Sequence, residues 1–358
     1  MKNKIGIAII LMFFLSGCVV NIKTSRGFDG GLYVSADRGD NWVQRTLVYR
    51  TDDISRSFNQ VDVTALTIDP VDGQAIYVGT EQNGIYYSYN AGAGWQNTLV
   101  GEGRINAITV DAKNHCVVYA AIGSRVYKTN DCSRRWGKTL IETRIDPVNK
   151  ITDLVIDPQN SSIIYGITSG GTLFKSLDAG ISWQAVKFFA PNLVKLLINP
   201  KNSRTMYVAT ADQGVFKSQD GGLNWQDIIP GSKMKPWSHS TIYRSLIFDP
   251  AQDDGLIYAS QYGLLKSANG GESWEAIKLL TPPGTAIIYG LAVNPKNSKE
   301  IYYGIGTALY RTQDGGLNWI PRTLPTSRAA FFIGINPENP AQIYLGVHKV
   351  VVNSIYNL

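Results

Sequence analysis

Ser218-Gln-Asp220-Gly-Gly222-Leu-Asn-Trp225 is one of seven copies of an octet, and its reading decides the fold. The copies occupy 35–42, 88–95, 129–136, 176–183, 218–225, 267–274 and 312–319. Their tryptophans, Trp42, Trp95, Trp136, Trp183, Trp225, Trp274 and Trp319, stand roughly 40 to 53 residues apart, the mark of a repeat architecture. Each octet makes sense as a tight turn between two strands. A Ser or Thr hydroxyl opens it, and an acceptor oxygen follows at Asp37, Asn90, Asp131, Asp178, Asp220, Asn269 and Asp314. Such short polar side chains accept backbone N–H bonds within turns. Glycine at the fifth position supplies the left-handed backbone, and the tryptophan starts the next strand and buries its indole. Ser133 replaces that glycine in the third copy and puts its turn in question.

The pattern Ser/Thr-x-Asp-x-Gly-x-x-Trp resembles the Asp-box, or BNR, repeat. It is shared by sialidases, sortilin-type receptors, xyloglucan-cleaving hydrolases and photosystem II assembly factors. A second unit alternates with it, an apolar strand ending in Asp-Pro or Asn-Pro followed by a strand containing Ile-Tyr or its equivalent. It runs from Leu66-Thr-Ile68-Asp69-Pro70 with Ile76-Tyr77 to Ile333-Gly-Ile335-Asn336-Pro337 with Ile343-Tyr344, and Ala112 alone breaks the proline rule. Seven units and seven octets predict an all-β, seven-bladed β-propeller of four-stranded antiparallel blades, whose radial closure leaves only short edges. The first octet lacks a preceding Asp-Pro unit and the last unit lacks a following octet. The two ends are therefore expected to share one blade. Leu32 to Ser35 and Val350 to Ser354 compete for its third strand, and the N-terminal hairpin is favoured.

The chain has 358 residues, 44% of them hydrophobic, enough for a large core. Lys2 and Lys4 followed by the apolar run Ile5 to Leu15 read as an export signal over 1–17. Leu15-Ser16-Gly17-Cys18 resembles the bacterial lipobox, which implies cleavage before Cys18 and lipidation of its sulfur. Residues 18–29 are then a lipidated tether, 30–358 the propeller, and the expected place is the outer face of a bacterial membrane, the outer membrane included. The net charge of +6, less the two leader lysines, leaves +4, too little and too dispersed for a nucleic-acid surface. Cys116 and Cys132 face each other near the open end of a hairpin turning at Gly123-Ser124. The pair reads as a disulfide in an exported chain, or as two independent buried thiols.

In this register the octets share one face of the ring with the Asp-Pro turns. Their Asp, Asn and Ser residues repeat seven times in the same structural role, which makes them turn formers before ligand or metal holders. Candidate sites lie on the opposite face, on loops held by a rigid scaffold. They include Arg104, Asp153, Lys195 and Arg244 near the starts of inner strands. Arg144 lies in the loop 140–150, and Lys235, Trp237 and His239 in the loop 229–242. Tyr49, Arg50, Asp52, Asp53, Arg56 and Phe58 populate the irregular stretch 48–62. Trp237 can serve binding or fold down for its own burial, and Asp153 with Lys195 reads first as an inter-blade ion pair.

A glycosidase needs two carboxyl groups across a cleft, and Asp52, Asp53, Glu102, Glu142, Asp146 and Asp153 could supply them. Arg144-Ile145-Asp146-Pro147 is only a late and interrupted echo of the sialidase Arg-Ile-Pro segment. The xyloglucan-cleaving relatives use two facing propellers, and this chain has one. His115, His239 and His348 are scattered and suggest neither a metal cluster nor a triad, so no cofactor is expected. The chain looks most similar to the photosystem II stability and assembly factor class, which binds an assembly intermediate through an arginine-rich patch. That resemblance implies a non-catalytic, monomeric scaffold with a protein partner, a membrane-protein complex among the candidates, read through Arg104, Arg144 and Arg244. A glycan-active or glycan-binding propeller is the alternative.

Overall fold

Among the described residues the chain forms seven antiparallel sheets of four strands each and one two-stranded ribbon, and no helix. The computed structural model describes residues 28–49, 56–139, 149–230 and 236–350. Blade 1 consists of Val63–Ile68, Ile76–Thr80, Ile85–Ser88 and Gln96–Thr98. The inner strands of blades 2 to 6 are Ile105–Asp111, Ile151–Asp157, Leu193–Ile198, Tyr243–Phe248 and Ile288–Asn294. Blade 7 joins both ends of the chain. Ala329–Ile335 and Ile343–His348 pair with Leu32–Ser35, in a register of Leu32 opposite Gly346 and Ser35 opposite Ile343, and Val43–Gln44 lies outermost. The N-terminal strand thus takes the place for which 350–354 competed. The stretch expected to be irregular holds a short ribbon, Leu47–Val48 with Arg56–Ser57.

The Ile-Tyr strands are buried along their apolar part, throughout in Ile76–Thr80 and after an exposed start in Asn114–Ile122, because a neighbouring blade covers each of their faces. The core is accordingly a ring of seven apolar seams, one between each pair of adjacent blades. Close approach across a seam explains Gly79, where a Cβ would lie 2.7 Å from the Ile105 side chain of blade 2. Tyrosine hydroxyls cross these seams. Tyr344, Tyr119 and Tyr207 donate to the carbonyls of Ala91, Ala179 and Gly270, the fourth residues of octets in the next blade.

All seven octets adopt one turn. The first residue's hydroxyl accepts the N–H of the fifth, from Gly39 to Ser35 at 2.7 Å to Gly316 to Thr312 at 3.0 Å, and donates to the Asp or Asn oxygen. That oxygen accepts the N–H of the seventh residue, at 2.8 Å from Asn41 and 2.9 Å from Gly94. Position four is left-handed as well as position five, even where it is Arg38, Ala91, Cys132 or Ala179. The third copy does not depart from this shape. Ser133 holds φ +67 and its N–H reaches Thr129 Oγ1 at 3.2 Å. Cys116 and Cys132 are joined as a disulfide, and the Cys132 N–H donates to the Cys116 carbonyl, so the bridge pins the octet that lacks glycine.

Arg328 fastens the closing blade to blade 1. Its side chain is only 12% exposed and bonds Asp29 at 3.3 Å, Asp62 at 2.8 Å and the Gln60 carbonyl at 2.9 Å.

Candidate functional site: the channel mouth opposite the octets

Every inner strand carries a β-bulge near its start. The register skips one residue in each blade, and the skipped residues are Thr64, Asn106, Thr152, Val194, Arg244, Tyr289 and Phe331. A bulge adds one residue to one strand only and re-aims its side chain. Here all seven line one cavity of about 370 Å³ at the mouth of the central channel, on the face away from the octets.

Apart from the apolar Val194 on blade 4, the ring divides in two. Thr64 Oγ1 donates to the Ile105 carbonyl at 2.7 Å, Asn106 Nδ2 to that of Ile151 at 3.0 Å and Thr152 Oγ1 to that of Leu193 at 2.8 Å. On blades 1 to 3 the bulged side chain therefore latches the next blade. On blades 5 to 7 the same position carries Arg244, Tyr289 and Phe331. The Tyr289 and Phe331 rings lie 5.0 Å apart, and Phe331 lies 4.9 Å from the His348 ring. His348 Nδ1 in turn sits 3.0 Å from the Val63 carbonyl and latches blade 7 to blade 1.

Between these halves lie Asp153, Lys195 and Tyr243. Lys195 Nζ is 2.9 Å from Asp153 Oδ2, the inter-blade ion pair expected from the sequence. The same carboxylate accepts the N–H groups of Leu154 and Leu196 at 3.0 and 3.1 Å. Burial pushes the Tyr243 phenol far above its ordinary range, and the nearby charge of Asp153 adds to the shift. Arg244 Nη2 donates to Gln261, while its buried Nε makes no hydrogen bond.

The other expected residues are distributed differently. Arg104 is not a lining residue of the cavity; it precedes the bulge by two positions and pairs with Glu81 in the turn between Ile76–Thr80 and Ile85–Ser88 of blade 1. Trp237 packs on the apolar seam between blades 4 and 5, so it folds down for its own burial. His239 is exposed at a left-handed turn, φ +62, whose carbonyl accepts the Ile242 N–H at 3.2 Å. Phe58 is buried and stacks on Tyr86 at 4.2 Å. Cys18, Arg50, Asp52, Asp53, Glu142, Arg144, Asp146 and Lys235 lie outside the described residues.

Two of the candidate acids are already engaged. The Tyr127 hydroxyl donates to Glu102 at 2.6 Å and Lys138 lies 3.2 Å away; these bonds hold its carboxyl below the usual range, opposite to what a general acid needs. Asp153 is the only carboxylate lining the cavity among the described residues. On the octet face the Asp oxygens are occupied by their own turns. Among the described residues, His115, Cys116 and Cys132 bring three potential metal-ligand atoms within 4.8 Å, but both sulfurs are spent on the disulfide. Sequence reasoning missed Tyr289 and Phe331. The signal was present in the seven aligned inner strands, but it becomes visible only when the bulge marks one column as inward-facing.

Residues 192–330 match the family model described as Photosynthesis system II assembly factor YCF48. No curated protein sequence matches the chain. The structure is similar to that of the GH74 enzyme of Niastella koreensis, at 18% identity and a TM-score of 0.67 over 80% of this chain and 51% of that one. The chain thus spans about half the length of that enzyme. It is also similar to YCF48 from Cyanidioschyzon merolae, at 12% identity and a TM-score of 0.61 over 84% of this chain and 97% of that one. A YCF48 bound to D1 peptide matches at 16% identity and a TM-score of 0.60, over 80% and 93%. At such identities the likeness concerns the fold: the chain is a seven-bladed Asp-box propeller, similar to that of the photosystem II assembly factors and to part of the GH74 hydrolases.

Proposed function

We propose that this chain is a non-catalytic binding scaffold, exported and tethered through a lipid on Cys18, that holds a segment of a protein partner at the channel mouth opposite the octets. The observation that carries this reading is the division of the bulge ring. Three positions are spent on closing the ring, while Arg244, Tyr289 and Phe331 give the cavity one cationic and two aromatic groups. Arg and Tyr are among the residues that anchor protein interfaces, and a partly desolvated guanidinium suits a carboxylate or a carbonyl. The family match over 192–330 and the YCF48 structure with a bound D1 peptide support a peptide ligand.

The similarity to GH74 enzymes favours a glycan as the second reading. Glycoside hydrolysis requires a pair of carboxyl groups, and Asp153 lines this cavity already committed to Lys195 and two backbone N–H groups.

Titration of the full mature chain with an array of acidic, aromatic-containing peptides tests the proposal. Binding is expected, and it should be lost in Arg244→Ala and Phe331→Ala proteins that melt normally. Release of reducing ends from xyloglucan, abolished by Asp153→Asn, would establish the hydrolase instead.

A further inference from the structure

The face on which the N-terminal segment meets the propeller restricts how the ring can sit on a membrane. The Gly30 N–H donates to the Asn59 carbonyl and the Gly31 N–H to the Val61 carbonyl, both at 2.8 Å. The Asp29 carbonyl accepts the Thr326 hydroxyl at 2.7 Å, and its carboxylate pairs with Arg328. Asn59, Val61, Thr326 and Arg328 belong to the connections between blades, which lie on the face of the channel mouth. From Gly31 the strand Leu32–Ser35 runs away from that face to the first octet. Phe28, where the described chain begins, therefore lies at the mouth face.

We infer that the channel mouth is turned towards the membrane that holds Cys18, so that its ligand is a segment presented at the bilayer surface by a membrane-embedded protein. This rests on the scaffold and the lipid anchor proposed above. Cys18 precedes Phe28 by ten residues, whose greatest extended reach is about 35 Å. Leu32–Ser35 has a single strand, Val43–Gln44, outside it in its blade. Turning the octet face to the bilayer would take the tether past that edge, about 10 Å away, and down a strand's length of about 20 Å. That consumes nearly the whole reach, whereas the opposite orientation needs none of it. Exposed apolar side chains do not choose between the faces, since Phe28, Val100, Phe188 and Leu280 stand on one and Ile181, Leu223 and Leu317 on the other. The point of attachment favours the mouth face.

The full lipidated chain, carrying either Asp212→Cys in the mouth-face turn of blade 4 or Glu272→Cys in an octet, tests the orientation. Both positions are exposed, and the native cysteines of the propeller are paired. Each variant is labelled with a fluorophore and placed on phosphatidylethanolamine–phosphatidylglycerol vesicles containing a headgroup-quencher lipid. The label at 212 is expected to lose more fluorescence than the label at 272. Equal or greater loss at 272, or a mass spectrum without lipid on Cys18, overturns the inference. The peptide titration is read separately, in solution. Failure there with quenching at 212 removes the scaffold and the ligand named here while the orientation stands. Success there with quenching at 272 removes the orientation alone.

Discussion

One residue per blade decides what the channel mouth can recognise. Thr64, Asn106 and Thr152 have short donors that reach the neighbouring carbonyl and close the ring. Arg244, Tyr289 and Phe331 occupy the same bulge without making that bond, so they can differ without opening a seam. Arg244→Ala should weaken peptide binding about 30-fold, a loss of about 2 kcal/mol typical of a central anchor, and leave the melting temperature nearly unchanged. Calorimetric titration beside thermal denaturation checks both halves of this expectation. Glycine matters at a different place. Gly180→Ser should cost about 1 to 2 kcal/mol, because φ is +85 and a Cβ would stand 3.1 Å from a Tyr119 ring carbon; urea unfolding measures it. Arg104, expected at the mouth from its place near a strand start, pairs with Glu81 instead. It precedes the bulged Asn106 by two positions and lies before the inner strand Ile105–Asp111, so the bulge does not turn it into the cavity.

At the scale of the element, the octet is a turn whose carboxylate is part of its hydrogen bonding. The Asn41 side chain holds Asp37 down to about 2, and the Ser182 hydroxyl does the same for Asp178. The backbone N–H groups of Asn224 and Asn318 hold Asp220 and Asp314 down to about 2. Each folded value lies below the ordinary 3.8 of an unfolded aspartate, so the stabilisation is complete above about pH 4 and disappears as pH falls through about 2. Replacing all four by Asn, the residue that Asn90 and Asn269 already supply, should preserve the turns and flatten the loss of melting temperature between pH 4 and 2. A steep acid limb persisting in that variant would place the sensitivity elsewhere. The third octet adds a covalent element. Reducing Cys116–Cys132, 16 residues apart, should cost about 3 kcal/mol on the chain-entropy scale. Ser133 then holds its left-handed backbone without help, so exchange of the 129–136 amides should rise before that of other octets.

At the scale of the molecule, closure is the cooperative event. Seven seams form a ring only when Leu32–Ser35 pairs with Ile343–His348, and Arg328 sits across that joint bonded to Asp29 and Asp62. Arg328→Ala would leave two carboxylates facing each other around a partly buried gap. It should cost about 2 kcal/mol and speed proteolysis at 28–31, with Arg328→Lys a poor substitute because one ammonium cannot replace a planar fork. Limited proteolysis with mass mapping distinguishes this local opening from global unfolding. The same closure fixes the N-terminal segment to the mouth face, which links the architecture to the proposed orientation on a membrane.

The sequence by itself determined the number of blades, the shape of the octet turn, the shared closing blade, the facing cysteines and the Asp153–Lys195 pair. The first three follow from a local pattern repeated at a fixed period, so one turn's chemistry could be read seven times; the cysteines and the ion pair follow from where that repeat places single residues. Only the tertiary structure decided that Arg244, Tyr289 and Phe331 meet around one cavity while Trp237 packs into a seam and Arg104 stays outside. That outcome depends on a bulge that recurs in every inner strand and turns one column of the repeat inward, and on side chains brought together from strands some 40 residues apart; backbone geometry rather than residue type marks that column.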